Sequence, residues 1–204
     1  MMTEITAFTP LTSLALGFGL GFIHAFDVDH LMAVSAMAQG KTKVSQCFRY
    51  SSRWAVGHGT VLITLGVLLL GFGFELPQQV IFLSEKLIGI LLIVFGVLLV
   101  AQLFRHTSKA PTANNTPFLV GVIHGMAGNA PVIALLPALA QASMLAAISY
   151  LCLFSVGLWL SMAVFAFGLS HAQRWLQLSR RGFLLGATGV GLASVTVGVI
   201  WLRL

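Results

Sequence analysis

Seven consecutive residues, His24-Ala25-Phe26-Asp27-Val28-Asp29-His30, concentrate four side chains able to bind a cation or move a proton. Asp27 and Asp29 are the only aspartates in the chain, and the residues around them are Gly, Leu, Phe, Ala and Met. A carboxylate held in hydrocarbon costs about 2.5–3.5 kcal/mol on insertion scales, and two placed side by side also repel. A bound cation offsets both penalties. At 100° per residue, a regular helix would put His24, Asp27 and His30 within an arc of about 120°, two imidazoles and a carboxylate on one face. Asp29 would fall off that face. It would then orient an imidazole through its N–H, or join the ligands directly if the helix unwinds, as Gly17, Gly19 and Gly21 just upstream would allow.

Two further histidines fall in apolar segments. His58 is flanked by glycines in Gly57-His58-Gly59-Thr60, where the backbone can approach another helix closely. His124 opens His124-Gly125-Met126-Ala127-Gly128-Asn129-Ala130-Pro131, which reads as a broken helix lining a cavity, with the Asn129 amide as a secondary oxygen donor. His106 and His171 lie in or beside basic loops and read as interfacial residues. The expected metal ligands are therefore His24, Asp27, Asp29, His30, His58 and His124. Nitrogen and oxygen donors without thiolate suit Ni²⁺, Co²⁺, Zn²⁺ or Mn²⁺ better than Cu⁺. Protons compete for the same donors, so uptake is expected to fall as pH drops through the histidine range. Vesicle uptake that is flat between pH values of about 5.5 and 7.5 would count against such a site.

The elements that position these groups follow from composition. Of 204 residues, 58% are hydrophobic and 8% charged, with a mean hydropathy of +0.97. A soluble domain carries about a quarter charged residues. The solvent for most of this chain is therefore lipid. Apolar stretches near 10–39, 54–74, 86–104, 117–140, 143–169 and 182–203 predict six transmembrane helices, each approaching or exceeding the ~20 residues needed to cross ~30 Å, the first and fifth with interfacial ends included. Strong period-2 alternation is lacking, which argues against a β-barrel. The N-terminal stretch has Glu4 and no basic residue, so it reads as mature sequence rather than a signal peptide. Cys47 and Cys152 form no spacing motif.

Basic residues set the orientation. Lys41, Lys43, Arg49, Arg53, Arg105, Lys109, Arg174, Arg180 and Arg181 fall on one side of the predicted spans, and only Lys86 and Arg203 on the other. That bias puts loops 1–2, 3–4 and 5–6 in the cytoplasm and both termini outside an inner (plasma) membrane. The net charge of +6 is absorbed by this role and calls for no nucleic-acid partner.

The chain also reads as two related halves. Gly21-Phe22-Ile23-His24-Ala25 aligns with Gly121-Val122-Ile123-His124-Gly125, Val56-Gly57-His58 with Val156-Gly157-Leu158, and Phe95-Gly96-Val97-Leu98 with Val197-Gly198-Val199-Ile200. Three spans per half is an odd number, so the second repeat must be inverted. The expected fold is an all-α membrane protein of two inverted three-helix repeats, 1–105 and 117–204, joined by a cytoplasmic linker at 106–116. Inverted repeats commonly hold a site near the midplane.

The His24–His30 segment resembles the His-Ala-x-Asp-Ala-Asp-His signature of the nickel/cobalt transporter (NiCoT) family, with Val28 in place of alanine. Val56-Gly57-His58-Gly59-Thr60 is similar to that family's Gly-His-Ser-Thr segment, with Gly59 for serine. The resemblance is strongest to the short, urease-accessory-type relatives. It implies that His24, Asp27, Asp29, His30 and His58 recognise the metal. It also implies that the chain is a secondary transporter and not an enzyme. Ni²⁺ or Co²⁺ would be its substrate, with no permanently bound cofactor. Typical members carry the signature in their second span, and larger ones are acidic where this chain has Asn129-Ala130-Pro131. Related exporters often have a long histidine-rich loop; its absence here leans toward uptake over export. The lipid bilayer and a periplasmic metal donor or cytosolic metallochaperone are the partners implied. Competing readings are an intramembrane zinc hydrolase using His24, His58 and His124 with Asp27 or Asp29 as base, and a haem-binding redox subunit.

Overall fold

The computed structural model describes residues 10–73, 77–105, 115–127, 130–141 and 143–203. The described residues are helical: α1 (Pro10–His24), α2 (Val28–Ala38), α3 (Val44–Phe72), α4 (Gln78–Arg105), α5 (Thr116–Met126), α6 (Ala130–Leu139), α7 (Met144–Leu176) and α8 (Arg180–Arg203). Large apolar side chains such as Phe82, Leu119, Leu145, Val164 and Leu185 stay exposed around the outside. So wide an apolar surface is stable against lipid, not water. The chain is an all-helical, multi-pass membrane protein. Helices α3, α4, α7 and α8 are each long and apolar enough to cross a bilayer, and the bent pair α1–α2 adds a fifth crossing if taken as one. The remaining expected span falls on α5 and α6, whose junction at 128–129 lies outside the described residues, as does most of the expected linker.

The first expected span, 10–39, is not one regular helix. α1 and α2 meet at a 58° bend. The last turn of α1 closes through Ala25 N–H to Gly21 O (3.2 Å), Phe26 N–H to Ile23 O (3.0 Å) and Asp27 N–H to His24 O (3.1 Å). Asp27 then takes extended backbone (φ −56°, ψ 139°) as the residue that starts α2. No glycine sits at the break. Two of the three upstream glycines serve contact instead: a Cβ on Gly17 would strike Tyr150, and one on Gly21 the carbonyl of Phe154.

Three helices exceed their apolar stretches, because extending a formed helix is cheap compared with starting one. α4 begins at Gln78 rather than 86. α3 begins at Val44 rather than 54, with Cys47 and Ser51 buried in its early turns. α7 runs to Leu176 rather than 169, and its end holds the α2–α3 loop. There Gln173 Nε2 donates to Ala38 O (3.1 Å), Arg174 Nε to Thr42 O (2.7 Å) and Gln177 Nε2 to Gly40 O (3.2 Å). α3 and α7 are also stitched by Trp159 Nε1–H to Ser52 Oγ (3.1 Å).

The core lies along α3 and α7, where Trp54, Leu62, Tyr150, Leu151, Phe154, Leu158 and Met162 are fully buried. Glycine contacts bring the helices close, and they recur at an offset of 100 residues. Gly21 of α1 lies against the Phe154 carbonyl, as Gly121 of α5 lies against that of Trp54. Gly57 of α3 meets the Phe118 carbonyl, as Gly157 of α7 meets that of Phe18. Helices α4 and α8 pair through Gly89 with Gly198 and Gly96 with Gly191, related by an offset of 102.

Candidate metal site

The α1–α2 break brings the signature residues together in a way that a straight helix could not. His24 ends α1, Asp27 precedes α2, and Asp29 and His30 occupy its first turn. The positive end of the α2 dipole favours both carboxylates there. Asp27 makes no capping hydrogen bond to its own helix. Its Oδ2 instead stands 2.9 Å from His24 Nδ1, without the alignment of a hydrogen bond.

His58 comes from α3, of whose 29 residues it is the middle one. At 1.5 Å per residue it lies about 21 Å from either end, deep in the span. His124 comes from the last turn of α5. All four imidazoles are buried and face one another. Ring centroids are 4.7 Å apart for His24–His30, 5.5 Å for His24–His58, 5.2 Å for His30–His58 and 5.6 Å for His30–His124.

Two tautomers follow from hydrogen bonds. His30 Nδ1 lies 3.2 Å from the His24 carbonyl, and His124 Nδ1 lies 2.9 Å from that of Val120. A carbonyl can only accept, so each Nδ1 carries the proton and each Nε2 keeps its lone pair. Both nitrogens of His24, both of His58 and Nε2 of His124 are buried without a hydrogen-bond partner among the described residues. Each such group costs about 1–3 kcal/mol if left unpaired.

A divalent cation is what this donor set fits. One ligand atom each from His24, His30 and His58 lie within 4.8 Å of one another, as do one each from Asp27, Asp29 and His30. Bonds of about 2.0–2.2 Å leave ligand atoms roughly 3–4 Å apart, so each group needs only a small contraction to close on an ion. The two carboxylates match a 2+ charge.

Of the expected ligands, the structure therefore gathers His24, Asp27, Asp29, His30 and His58, with His124 one ring further along and outside both close groups. Asn129 lies outside the described residues. The expected single helical face carrying His24, Asp27 and His30 does not exist, because the helix turns between them. Asp29, buried beside His30 with Oδ2 3.9 Å from Nε2, is as well placed as Asp27.

Sequence reasoning missed Trp54. Its indole packs on His30 (4.7 Å), His58 (5.1 Å) and His124 (5.6 Å), and its Nε1–H is buried without an acceptor among the described residues. The signal available was its i, i+4 spacing from His58 on one helix face. Phe154, 100 residues on, closes the opposite flank against His24 at 5.7 Å. His171 is separate, exposed on α7, with Nδ1 donating to Phe167 O at 2.9 Å in its own helix. His171→Ala is therefore expected to leave metal accumulation within about twofold of wild type, a surface change of under ~0.5 kcal/mol.

No family model matches the chain, and no solved structure does. Among curated proteins it is 29% identical over 141 residues to a urease accessory protein, UreH, of Bacillus sp. (strain TB-90), covering 61% of this chain and 62% of that one. It is 28% identical over 174 residues to chloroplast protein FOR GROWTH AND FERTILITY 2 of Arabidopsis thaliana, covering 74% of this chain and 45% of that one. The corresponding protein 1 is 27% identical over 176 residues, at 74% and 48%. The chain thus spans between about half and three-fifths of the length of the curated relatives it matches, and it is similar to a bacterial urease accessory protein and to two plant chloroplast proteins.

Proposed function

We propose that this chain is a secondary transporter, not an enzyme, that takes up divalent transition-metal ions across the inner membrane, with Ni²⁺ or Co²⁺ as substrate. The observation that carries this reading is the cluster beside the middle of α3, buried except for Asp27. Three imidazoles with unpartnered or lone-pair nitrogens meet two carboxylates there, in a chain otherwise made for lipid. A solely structural cluster would satisfy its buried polar atoms internally. The likeness to a urease accessory protein fits the resemblance to short, urease-accessory-type nickel/cobalt transporters, and nickel is therefore the first cargo to test.

The carrier architecture we propose is a pair of inverted repeats. Helices α1–α2, α3 and α4 form one, and α5–α6, α7 and α8 the other, giving six crossings. The reciprocal glycine contacts at offsets of 100 and 102 support it, because a two-fold axis repeats every inter-half contact in this way. In that arrangement His24 and His124 are symmetry partners approaching one site from opposite sides. The charge bias supports cytoplasmic loops after α2, α4 and α7, with both termini outside. A periplasmic metal donor and a cytosolic metallochaperone are the proteins such a carrier would meet.

The test is accumulation of radioactive nickel, supplied at nanomolar concentration, in cells expressing the wild type or Asp27→Asn. Uptake above background that the variant loses supports the assignment. Lowered cellular nickel, reversed by the variant, would keep the site but make the protein an exporter. Equal accumulation with and without the chain, for nickel and cobalt alike, would remove the reading.

A further inference from the structure

His30 belongs to both close donor groups, the nitrogen group with His24 and His58 and the oxygen-rich group with Asp27 and Asp29. Its Nδ1 proton is committed to the His24 carbonyl, which leaves one lone pair, on Nε2, to serve either group. That same Nε2 is the atom 3.9 Å from Asp29 Oδ2. Two ions cannot share one lone pair, so the groups cannot both be filled.

Exposure divides the groups further. The Asp27 side chain is 49% exposed, that of Asp29 11%, and that of His30 3%, while His58 is fully buried. Charge divides them too. The outer group brings two carboxylates and neutralises a divalent ion; the inner group brings neutral imidazoles and leaves the full charge in a medium of low dielectric. The buried His24 ring, with neither nitrogen hydrogen-bonded among the described residues, stands between them, one nitrogen 2.9 Å from Asp27 and its ring 5.5 Å from that of His58.

From this arrangement we infer that the metal passes through two successive, mutually exclusive stations that share His30. The outer one (Asp27, Asp29, His30) captures and holds the ion. The inner one (His24, His30, His58) receives it by ligand exchange. The His30 Nε2–metal bond is kept while carboxylate oxygens leave and the imidazole nitrogens of His24 and His58 bind. No charge or proton changes hands among the ligands. The resting ion sits in the outer station because its charge is matched there. The inner station binds it briefly, as passage requires. The inference rests on the metal-transport reading above.

The test separates binding from passage, using purified full-length protein, Ni²⁺ as the probe, and nickel accumulation in cells. Wild type is expected to bind one Ni²⁺ with an X-ray absorption signature of mainly oxygen and one imidazole. His58→Gln, chosen to keep volume, is expected to hold that signature with affinity within about threefold while accumulation falls to background. Asp29→Asn is expected to weaken binding by about tenfold or more and to shift the remaining ion toward an imidazole-rich shell. A monodisperse, helical protein is the control for each variant. Two Ni²⁺ bound at once by the wild type, or binding lost in His58→Gln as fully as in Asp29→Asn, would overturn the two-station inference and leave the transport reading standing. A folded wild type that binds neither Ni²⁺ nor Co²⁺ would end both.

Discussion

Replacing His24 with alanine is expected to abolish metal accumulation, a loss of about 100-fold or more, while the protein still reaches the membrane. His24 stands between the exposed carboxylate and the inner imidazoles. It lies 2.9 Å from the Asp27 carboxylate, 4.7 Å by ring centroid from His30, and 5.5 Å from His58. Neither of its nitrogens is spent on a hydrogen bond within the described residues. Removing it leaves Asp27 without its neighbour and the nitrogen group one ligand short. Insertion is expected to survive because the substitution makes α1 more apolar, and the close backbone approach of α1 to α7 at Gly17 and Gly21 does not depend on this ring, of which only the packing on Phe154 is lost. Radioactive nickel counted against immunoblotted membrane protein measures both quantities at once. Near-normal accumulation per copy would take the cluster out of consideration.

The second large effect concerns assembly and needs no metal. Gly21→Ala is expected to lower the yield of folded protein sharply, and Gly19→Ala, two residues earlier, to leave it unchanged. A Cβ on Gly21 would collide with the backbone carbonyl of Phe154, whereas one on Gly19 meets nothing within 4 Å. Backbone cannot rotate aside as a side chain can, so α1 must move off α7, a strain of about 1–3 kcal/mol. Gly121→Ala faces the Trp54 carbonyl in the same way and is expected to behave alike. Thermal unfolding of the detergent-solubilised variants, read by size-exclusion recovery after heating, distinguishes them. Equal recovery for Gly19→Ala and Gly21→Ala would mean that the α1–α7 approach is looser than described.

These two predictions show where sequence reading reached and where it stopped. Hydropathy is a property of composition, so the lipid environment and the rough position of each apolar segment could be read without any fold. The donor types could be read equally early: two aspartates and two histidines within seven residues are costly in hydrocarbon, and a bound cation would offset that cost. The likeness of Gly21–Ala25 to Gly121–Gly125 was visible, and the glycine contacts at the same offset give it a physical meaning, because glycine is where helix backbones touch.

Geometry was another matter. A regular-helix projection put Asp27 and both histidines on one face and set Asp29 aside, and it failed because the chain bends 58° at a break with no glycine in it. Such a break depends on what packs around it, here α7 against α1, and no local residue signals it. Trp54 read as the start of an apolar stretch until α3 proved to begin ten residues earlier, which placed that indole inside the cluster. The sequence by itself determined the solvent, and it supplied the candidate donor types and the likeness between the halves, since these depend on residue identity and spacing along the chain. Only the tertiary structure decided which rings meet, which carboxylate is exposed and that His30 sits in two groups at once, because those follow from distances between segments far apart in sequence.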